Sequence, residues 1–240
     1  MRTIHSAWFE FKNEMSFAHG AEMLMMPERR SAALRGERIR VAGRSGSVLV
    51  TDGEYDDIDL RLRFALPDIA RLGEVCAWLR GEGLLRFSDL PQSAYQARVL
   101  RPPRFAPIAP RLQGQLAEVT FSCHPFLLRW PPVKVVRLNR SGETLHNPGT
   151  APAQPRVSIY GSGDFSLTIA GQTMAFTGVS QGIVVDCDTL DVTDLSGAAL
   201  LNDRAFGEPW RVPAGDCAVE WTIESGGIDH VDLLPRWRDF

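Results

Sequence analysis

The chain has no Cys-x-x-Cys pair: its four cysteines, Cys76, Cys123, Cys187 and Cys217, lie far apart. A zinc site or a redox dithiol needs thiols at short spacing, so neither is expected, and four buried thiols are. Long apolar runs are missing too, since no stretch approaches the roughly 20 residues that cross a bilayer. The N-terminal run MRTIHSAWFEFKNEM is broken by His5, Glu10 and Lys12 and holds no signal-peptide core. Synthesis and folding in the cytosol are the expectation, without membrane insertion. A strong charge bias is lacking, with 26 Lys+Arg against 29 Asp+Glu and a net charge of −3. That excludes a basic sheath for wrapping nucleic acid and leaves room only for a local patch. Lysine is nearly absent, Lys12 and Lys134 being the two, and no function follows from that.

What is present is the mix of a folded protein: 44% hydrophobic and 23% charged residues over 240 positions. Such a chain buries a real core, and global disorder is ruled out. At about 150 residues per domain it is one large domain or two small ones. Gly and Pro punctuate it between short β-prone runs, as in sandwich or barrel proteins. In the clearest run Ile58, Leu60, Leu62, Phe64 and Leu66 alternate with Asp57, Asp59, Arg61 and Arg63. A period of two predicts a strand over 57–66 with one buried and one charged face, preceded by a turn at Asp52-Gly53.

One segment, 68–80, breaks the pattern: Ile69, Leu72, Val75, Cys76 and Leu79 recur at helical spacing. Asp68 is the expected N-cap and Gly81-Glu82-Gly83 the stop, with Gly73 weakening the interior. Strands follow at 84–88, 95–100 and 117–123, the last placing Val119, Phe121 and Cys123 on one face. The domain boundary is expected in 124–132, where Pro131-Pro132 cannot donate ladder hydrogen bonds. Beyond it the chain reads as purely β, with strands at 133–138, 156–160, 165–170, 173–177, 182–187 and 217–223 and a long loop at 147–155. Phe165, Leu167 and Ile169 run into Ala170-Gly171-Gln172, and Met174 and Phe176 run back, as in a hairpin. Cys217, Val219, Trp221 and Ile223 alternate on another strand. There is no internal repeat, heptad or low-complexity tract.

Catalytic motifs are thin. Gly161-Ser162-Gly163 is not the Gly-x-Ser-x-Gly elbow of a hydrolase, and two glycines in a turn between strands explain it better. Asp186, Asp188, Asp191 and Asp194 are the one acidic cluster, with Asp186 and Asp188 on the same side of a strand end. A glycosidase pair or a calcium loop needs such carboxylates, but the Gly and terminal Glu of an EF-hand are missing, and a solvated strand end is expected. His5, His19, His124, His146 and His230 form no metal-ligand pair, and adjacent Cys123 and His124 point to opposite faces of a strand. Gly43-Arg44-Ser45-Gly46 lacks the Lys and spacing of a phosphate loop. Arg38, Arg40 and Arg44 are close enough for an anion site, and surface or interface arginines are the expected reading. Trp130, Trp210, Trp221 and Trp237 concentrate in the second half, where an exposed Trp would stack on sugar rings; Trp221 sits on an apolar face and belongs to a core. No catalytic, cofactor-binding or metal-ligating residue is assigned, and the chain is expected to be no enzyme and to need no cofactor.

Taken in order, the pieces resemble the distal tail proteins of long, flexible-tailed bacteriophages, over nearly the full length. In the first half the matching pieces are VAGRSG at 41–46, Asp52-Gly53-x-Tyr55, the strand 58–66 and the helix ending Ala77-Trp78-Leu79. FSDLP at 87–91, Tyr95-Gln96-Ala97 and FSCHP at 121–125 follow. In the second half they are NPGT at 147–150, Pro155, IYGSG at 159–163, IVVDC at 183–187, Asn202 and PRWR at 235–238. A large insertion of the kind that carries carbohydrate-binding modules in some relatives is missing, which argues against direct receptor binding by this chain.

The resemblance implies a mainly β protein. Residues 1–132 would be a ring-forming belt domain, sandwich-like with one α-helix, and residues 133–240 a galectin-like β-sandwich. It implies a structural virion protein that forms a hexameric ring at the distal end of the tail, pairing back to back as a dodecamer in isolation in some cases. The ring would join the tail-tube protein to the tail-tip hub protein and leave a central channel through which DNA passes. The location implied is the virion tail tip, of an active phage or a prophage. In some relatives the last strand returns to the first domain, and 228–237 is the candidate segment for that here. The outer face of 57–66, with Arg61 and Arg63, is a candidate for charged contacts between neighbours, and edge strands are natural joining surfaces. A carbohydrate-binding module acting through the second sandwich is the alternative, although fold analogy does not transfer function.

Overall fold

The structure is a computed structural model that describes residues 7–108 and 114–240. His5 lies outside the described residues. The chain is mainly β, 57% strand against 7% helix, which leaves no room for the α/β hydrolase scaffold that a nucleophile elbow requires. It divides into two compact units, residues 1–127 with Phe240, and residues 128–239. The division falls between Leu127 and Leu128, inside a strand that runs from Gln115 to Arg129.

The first unit contains β1 (Phe9–Phe11), β2 (Glu14–Met15), β3 (Glu22–Met23), β4 (Leu34–Ile39), β5 (Val48–Tyr55) and β6 (Ile58–Leu66). The helix α1 (Leu72–Trp78) follows, then β7 (Glu82–Phe87), β8 (Leu90–Pro107) and β9 (Gln115–Arg129). The main sheet runs β2-β1-β7-β8-β9-β6-β3, while β4 and β5 form a separate two-stranded ribbon. The alternation in β6 is borne out: Ile58, Leu60, Leu62 and Phe64 are buried and Asp59, Arg61 and Arg63 exposed. Opposite them β9 buries Val119, Phe121 and Cys123. Each fully buried Leu or Phe contributes about 1.5–3 kcal/mol, so this shared face dominates the unit's stability.

The helical segment is a 3-10 turn, Ile69–Arg71, that runs into α1. Asp68 caps it as expected, accepting from the Ala70 N–H at 2.9 Å. Val75, Trp78 and Leu79 are the buried contacts, whereas Ile69 is exposed. Asp52-Gly53 is not a turn before β6. It lies within β5, where Gly53 has φ +82° and the register to β4 shifts.

The second unit contains β10 (Val136–Leu138), β11 (Glu143–Asn147), β12 (Arg156–Ile169), β13 (Gln172–Val179) and β14 (Ile183–Asp186). These are followed by β15 (Asp191–Thr193), β16 (Ala205–Phe206), β17 (Gly215–Ile223), β18 (Gly227–Leu234) and β19 (Arg238–Asp239). The two strands expected at 156–160 and 165–170 are one, β12. Its first half pairs with β14 and β18, and its second half with β13 and β17, so a single strand serves both layers of the sandwich. Gly161-Ser162-Gly163 is the bend within it, with register shifts on both sides, not a turn between strands. The 169–172 hairpin forms as expected, Ile169 pairing with Gln172 across Ala170 (φ +51°) and Gly171 (φ +78°).

Trp210, Phe165, Phe176, Val219 and Leu233 lie in the core between the layers. Trp221 packs at its margin, and Ile223, at the end of that strand, is exposed. Residues 147–155 are a stapled loop: Ala151 bridges to Arg238 and Ala153 to Val212. The segment 228–234 stays within the second unit, as β18 between β10 and β12; Phe240 is the C-terminal residue that groups with the first unit.

Candidate assembly surface

The β4–β5 ribbon is an arm. Every residue of β4 is exposed, as is most of β5. Its register is set by Ile39 opposite Val48 and Arg38 opposite Leu49. Gly36 is required where the strands close, because a Cβ there would run into the Val50 carbonyl oxygen. Near its base Thr51 donates to the Arg35 carbonyl at 2.6 Å, and Arg35 Nε donates to Asp52 at 3.0 Å. That Arg35 contact, joined by the Glu54 N–H, holds the Asp52 carboxyl below its ordinary range. Leu34, Ile39, Val41, Leu49 and Val50 are each 40–54% exposed.

In the sequence this arm is marked by its arginines, by the Gly43–Gly46 tip and by two β-prone runs, RIRV and SVLV, that flank the tip.

The charged face of β6 is largely paired within the chain. Arg63 Nε donates to Glu118 at 2.9 Å, and Arg61 lies 3.6 Å from the same carboxylate. The Arg63 hydrogen bond keeps Glu118 below the usual carboxylate range. Asp57 accepts from the Ser122 hydroxyl at 2.9 Å. Among the described residues, Asp56 and Asp59 make no salt bridge, and neither do Arg38, Arg40 and Arg44. A groove of about 620 Å³ runs beside β6, lined by residues of both charges, among them Asp57, Asp59, Arg61 and Arg63, together with Met25 and Met26.

The other candidates are structural in their surroundings. Ser162 lies in the β12 bend, with no triad around it. Asp186 is held by Arg236, through bonds of 2.6 and 2.8 Å, and Asp188 is 3.9 Å from the same guanidinium. Asp194 folds its own loop, accepting from Ser196, Ala198 and Ala199. Asp191 faces Asp186 across β14 and β15. No group of three potential metal ligands occurs among the described residues.

His19 sits between Glu14 and Glu74, His146 beside Asp216, and His230 beside Asp229 while stacked on Tyr160. His124 lies near Phe126, with ring centroids 5.8 Å apart. Cys123, Cys187 and Cys217 are buried, but Cys76 is only half-buried, against expectation. Burial pushes the Cys187 thiol up to about 12 and raises Cys123 and Cys217 as well, which removes thiolate reactivity. Trp210 and Trp237 are buried, and Trp130 and Trp221 half-buried.

No helix among the described residues is long and apolar enough to cross a membrane. No family model matches the chain, and no curated protein matches it. Among solved structures it is similar to the Dit protein of SPP1, described as a paradigm of the hub adsorption apparatus in phages infecting Gram-positive bacteria. The two are 12% identical, the match covers 95% of this chain and 97% of that one, and the TM-score is 0.72. The match runs over nearly the full length of both chains, so what this chain shares with that phage hub protein is the fold from end to end.

Proposed function

We propose that this chain is a structural protein of a bacteriophage tail tip, assembling as a hexameric ring between the tail-tube protein and the tail-tip hub protein. The observation that carries the reading is the end-to-end fold match to the SPP1 hub protein, 95% of one chain on 97% of the other. In this reading the first unit forms the ring, the galectin-like sandwich lies outside it, and DNA passes through the centre without being gripped. Synthesis takes place in the host cytoplasm, and the protein ends in the virion. The chemistry described above supports a role without catalysis: the acidic cluster is tied up by Arg236 and by its own loop, and three thiols are buried.

A ring requires head-to-tail contacts that close by rotation. The test is light scattering on a sizing column followed by electron microscopy, together with antibody labelling of virions. Particles of six or twelve copies with a central hole, and label at the tail end, are the expected result. Label elsewhere on the virion, or none, overturns the tail-tip role.

A further inference from the structure

Two strands of the first unit's main sheet have an edge left partly uncovered, and the two edges differ. Along β6, β3 covers only Phe64 and Ala65, with the Leu24 N–H reaching the Arg63 carbonyl at 3.4 Å, and no proline interrupts the strand. Along β8, β7 pairs as far as Arg98, and the Val99 N–H reaches the Gly81 carbonyl at 2.9 Å. From Leu100 to Pro107 that side of β8 has no strand partner among the described residues. Pro102, Pro103 and Pro107 lie in this stretch and have no N–H to offer, which blunts the edge against strand addition. A ligand meeting this edge is held by side chains.

Those side chains are arginines. Arg98, Arg101 and Arg104 of β8 are exposed. Arg98 lies 3.7 Å from Glu82, whereas Arg101 and Arg104 make no salt bridge among the described residues. Arg101 lines the groove beside β6 together with Arg61, Arg63 and Thr120. Arg104 is close enough to Glu118 to act on its carboxyl, after Arg63 and Arg61. One carboxylate therefore stands among four guanidiniums, Arg61, Arg63, Arg101 and Arg104. The acidic residues of the groove, Asp56, Asp57 and Asp59, gather where β6 begins, so the positive excess is confined to the other end of that face.

A strand rises about 3.3 Å per residue, so Arg61 and Arg63 stand about 7 Å apart and Arg101 and Arg104 about 10 Å. One small anion cannot bridge such rows, whereas a ligand that repeats its charge can, and guanidinium pairs bidentately with phosphate. Contacts of this kind position a backbone and read no bases. We infer that this face, Arg61, Arg63, Arg101 and Arg104, contacts the phosphodiester backbone of duplex DNA, weakly and without sequence preference. The inference rests on the tail-tip reading, which supplies the DNA, and names the side chains that meet it. With only four contacts per chain and a net charge of −3 behind them, binding forms at low salt and fades as salt rises, so DNA is touched without being held.

Fluorescence anisotropy of the full chain with labelled duplexes of about 20 base pairs tests it. Between about 50 and 200 mM NaCl the wild type is expected to lose about a hundredfold in affinity, whatever the duplex sequence. R101S/R104S removes two of the four contacts and should halve the slope of log affinity against log salt. R101K/R104K keeps the charges and should largely restore it. R140S/R156S removes the same charge from exposed arginines of the second unit and should bind as the wild type does. All four substituted side chains are exposed, so these proteins should melt as the wild type does; if R101S/R104S does not, the two single substitutions replace it. A wild type that does not bind at about 50 mM NaCl, a preference for one sequence, or an equal loss in R140S/R156S overturns the inference. So does an R101S/R104S protein whose mass in solution falls below that of the wild type, because the face is then a protein contact. The ring fails separately: a wild-type monomer that binds duplexes with these slopes leaves the phosphate contact standing and removes the ring.

Discussion

The imidazole of His19 lies flat on the indole of Trp78, with ring centroids 4.2 Å apart and planes inclined by 17°. Its Nδ1 is 2.9 Å from Glu74 and its Nε2 2.7 Å from Glu14, so one side chain ties the N-terminal strands to α1. Trp78 itself stacks on Phe9 and donates to the Phe11 carbonyl at 3.0 Å. Arg71 then His19 hold the Glu74 carboxyl below its ordinary range. His19→Ala removes the stack and both polar contacts, and a loss of about 1–3 kcal/mol is expected in the first unit. Hydrogen exchange of the α1 amides reads it: faster exchange confined to α1 and β1 is the expected pattern, and unchanged protection contradicts it.

The ion pairs of the first unit should separate sharply by burial. Arg86 Nη1 holds both oxygens of Glu10 at 3.1 Å, and the two side chains are only 14% and 7% exposed. Glu10→Ala leaves a buried guanidinium without its counter-charge and should cost about 3–5 kcal/mol. Arg63→Ala removes a partner of Glu118 at a half-exposed site and should cost less than about 1 kcal/mol. Urea unfolding of the two variants side by side checks the contrast, and similar losses would mean that Glu10 is better solvated than its burial indicates.

What could be read in the sequence followed from local periodicity. The β6 alternation needs only a buried and a solvated face, and the Asp68 cap and the Ala170-Gly171 hairpin are signals a few residues long. The errors arose where distant chain decides. Gly161 and Gly163 read as a turn, because a bend inside a strand looks the same until the chain at 225–228 is placed against it. The arm is legible only in two four-residue runs, RIRV and SVLV, for a different reason: it buries neither face, so no apolar alternation of greater length marks its strands. The candidate assembly surface was visible only in part, as unexplained arginines and an expectation about strand edges. The open edge of β6 depends on β3 stopping short, and no pattern within β6 encodes that.

The bend in β12 should be intolerant of side chains. A Cβ on Gly161 would run into the Gly227 carbonyl oxygen, and one on Gly163, at φ +99°, into that of Ser225. These are backbone atoms, of β18 and of the turn that leads into it, so rotamer changes cannot relieve the clash. Gly161→Ala and Gly163→Ala should each destabilise the second unit by more than about 1 kcal/mol, the reverse of the usual Gly→Ala effect at a compatible site. Gly142→Ala makes the comparison, since φ is +88° there but nothing lies within 4 Å. It isolates the backbone strain, and its cost should be the smaller. Thermal melts of the three variants decide, and equal costs would show that the close approach does not matter.

Asp186 and Arg236 should make part of the second unit's stability sensitive to acid. Desolvation pushes the Asp186 carboxyl up, but the Arg236 fork and the Asp188 and Thr189 N–H groups more than reverse it, leaving it below its ordinary value. A carboxyl whose pKa is lower folded than unfolded binds protons more readily in the unfolded chain, so its contribution is complete above about pH 4 and is lost as the pH falls through the folded value. Asp164 and Asp194 are lowered in the same direction, so Asp186 carries a share of the acid sensitivity rather than all of it. Asp186→Asn keeps the shape and removes the charge. At pH 7 it should cost about 1.5–3 kcal/mol, the range for hydrogen bonds to charged groups. Below pH 4 the difference from wild type should shrink, because the wild-type carboxyl is then being neutralised as well. Stability measured from pH 7 down to pH 2 in both proteins tests this, and two parallel curves would show that Asp186 does not titrate with unfolding.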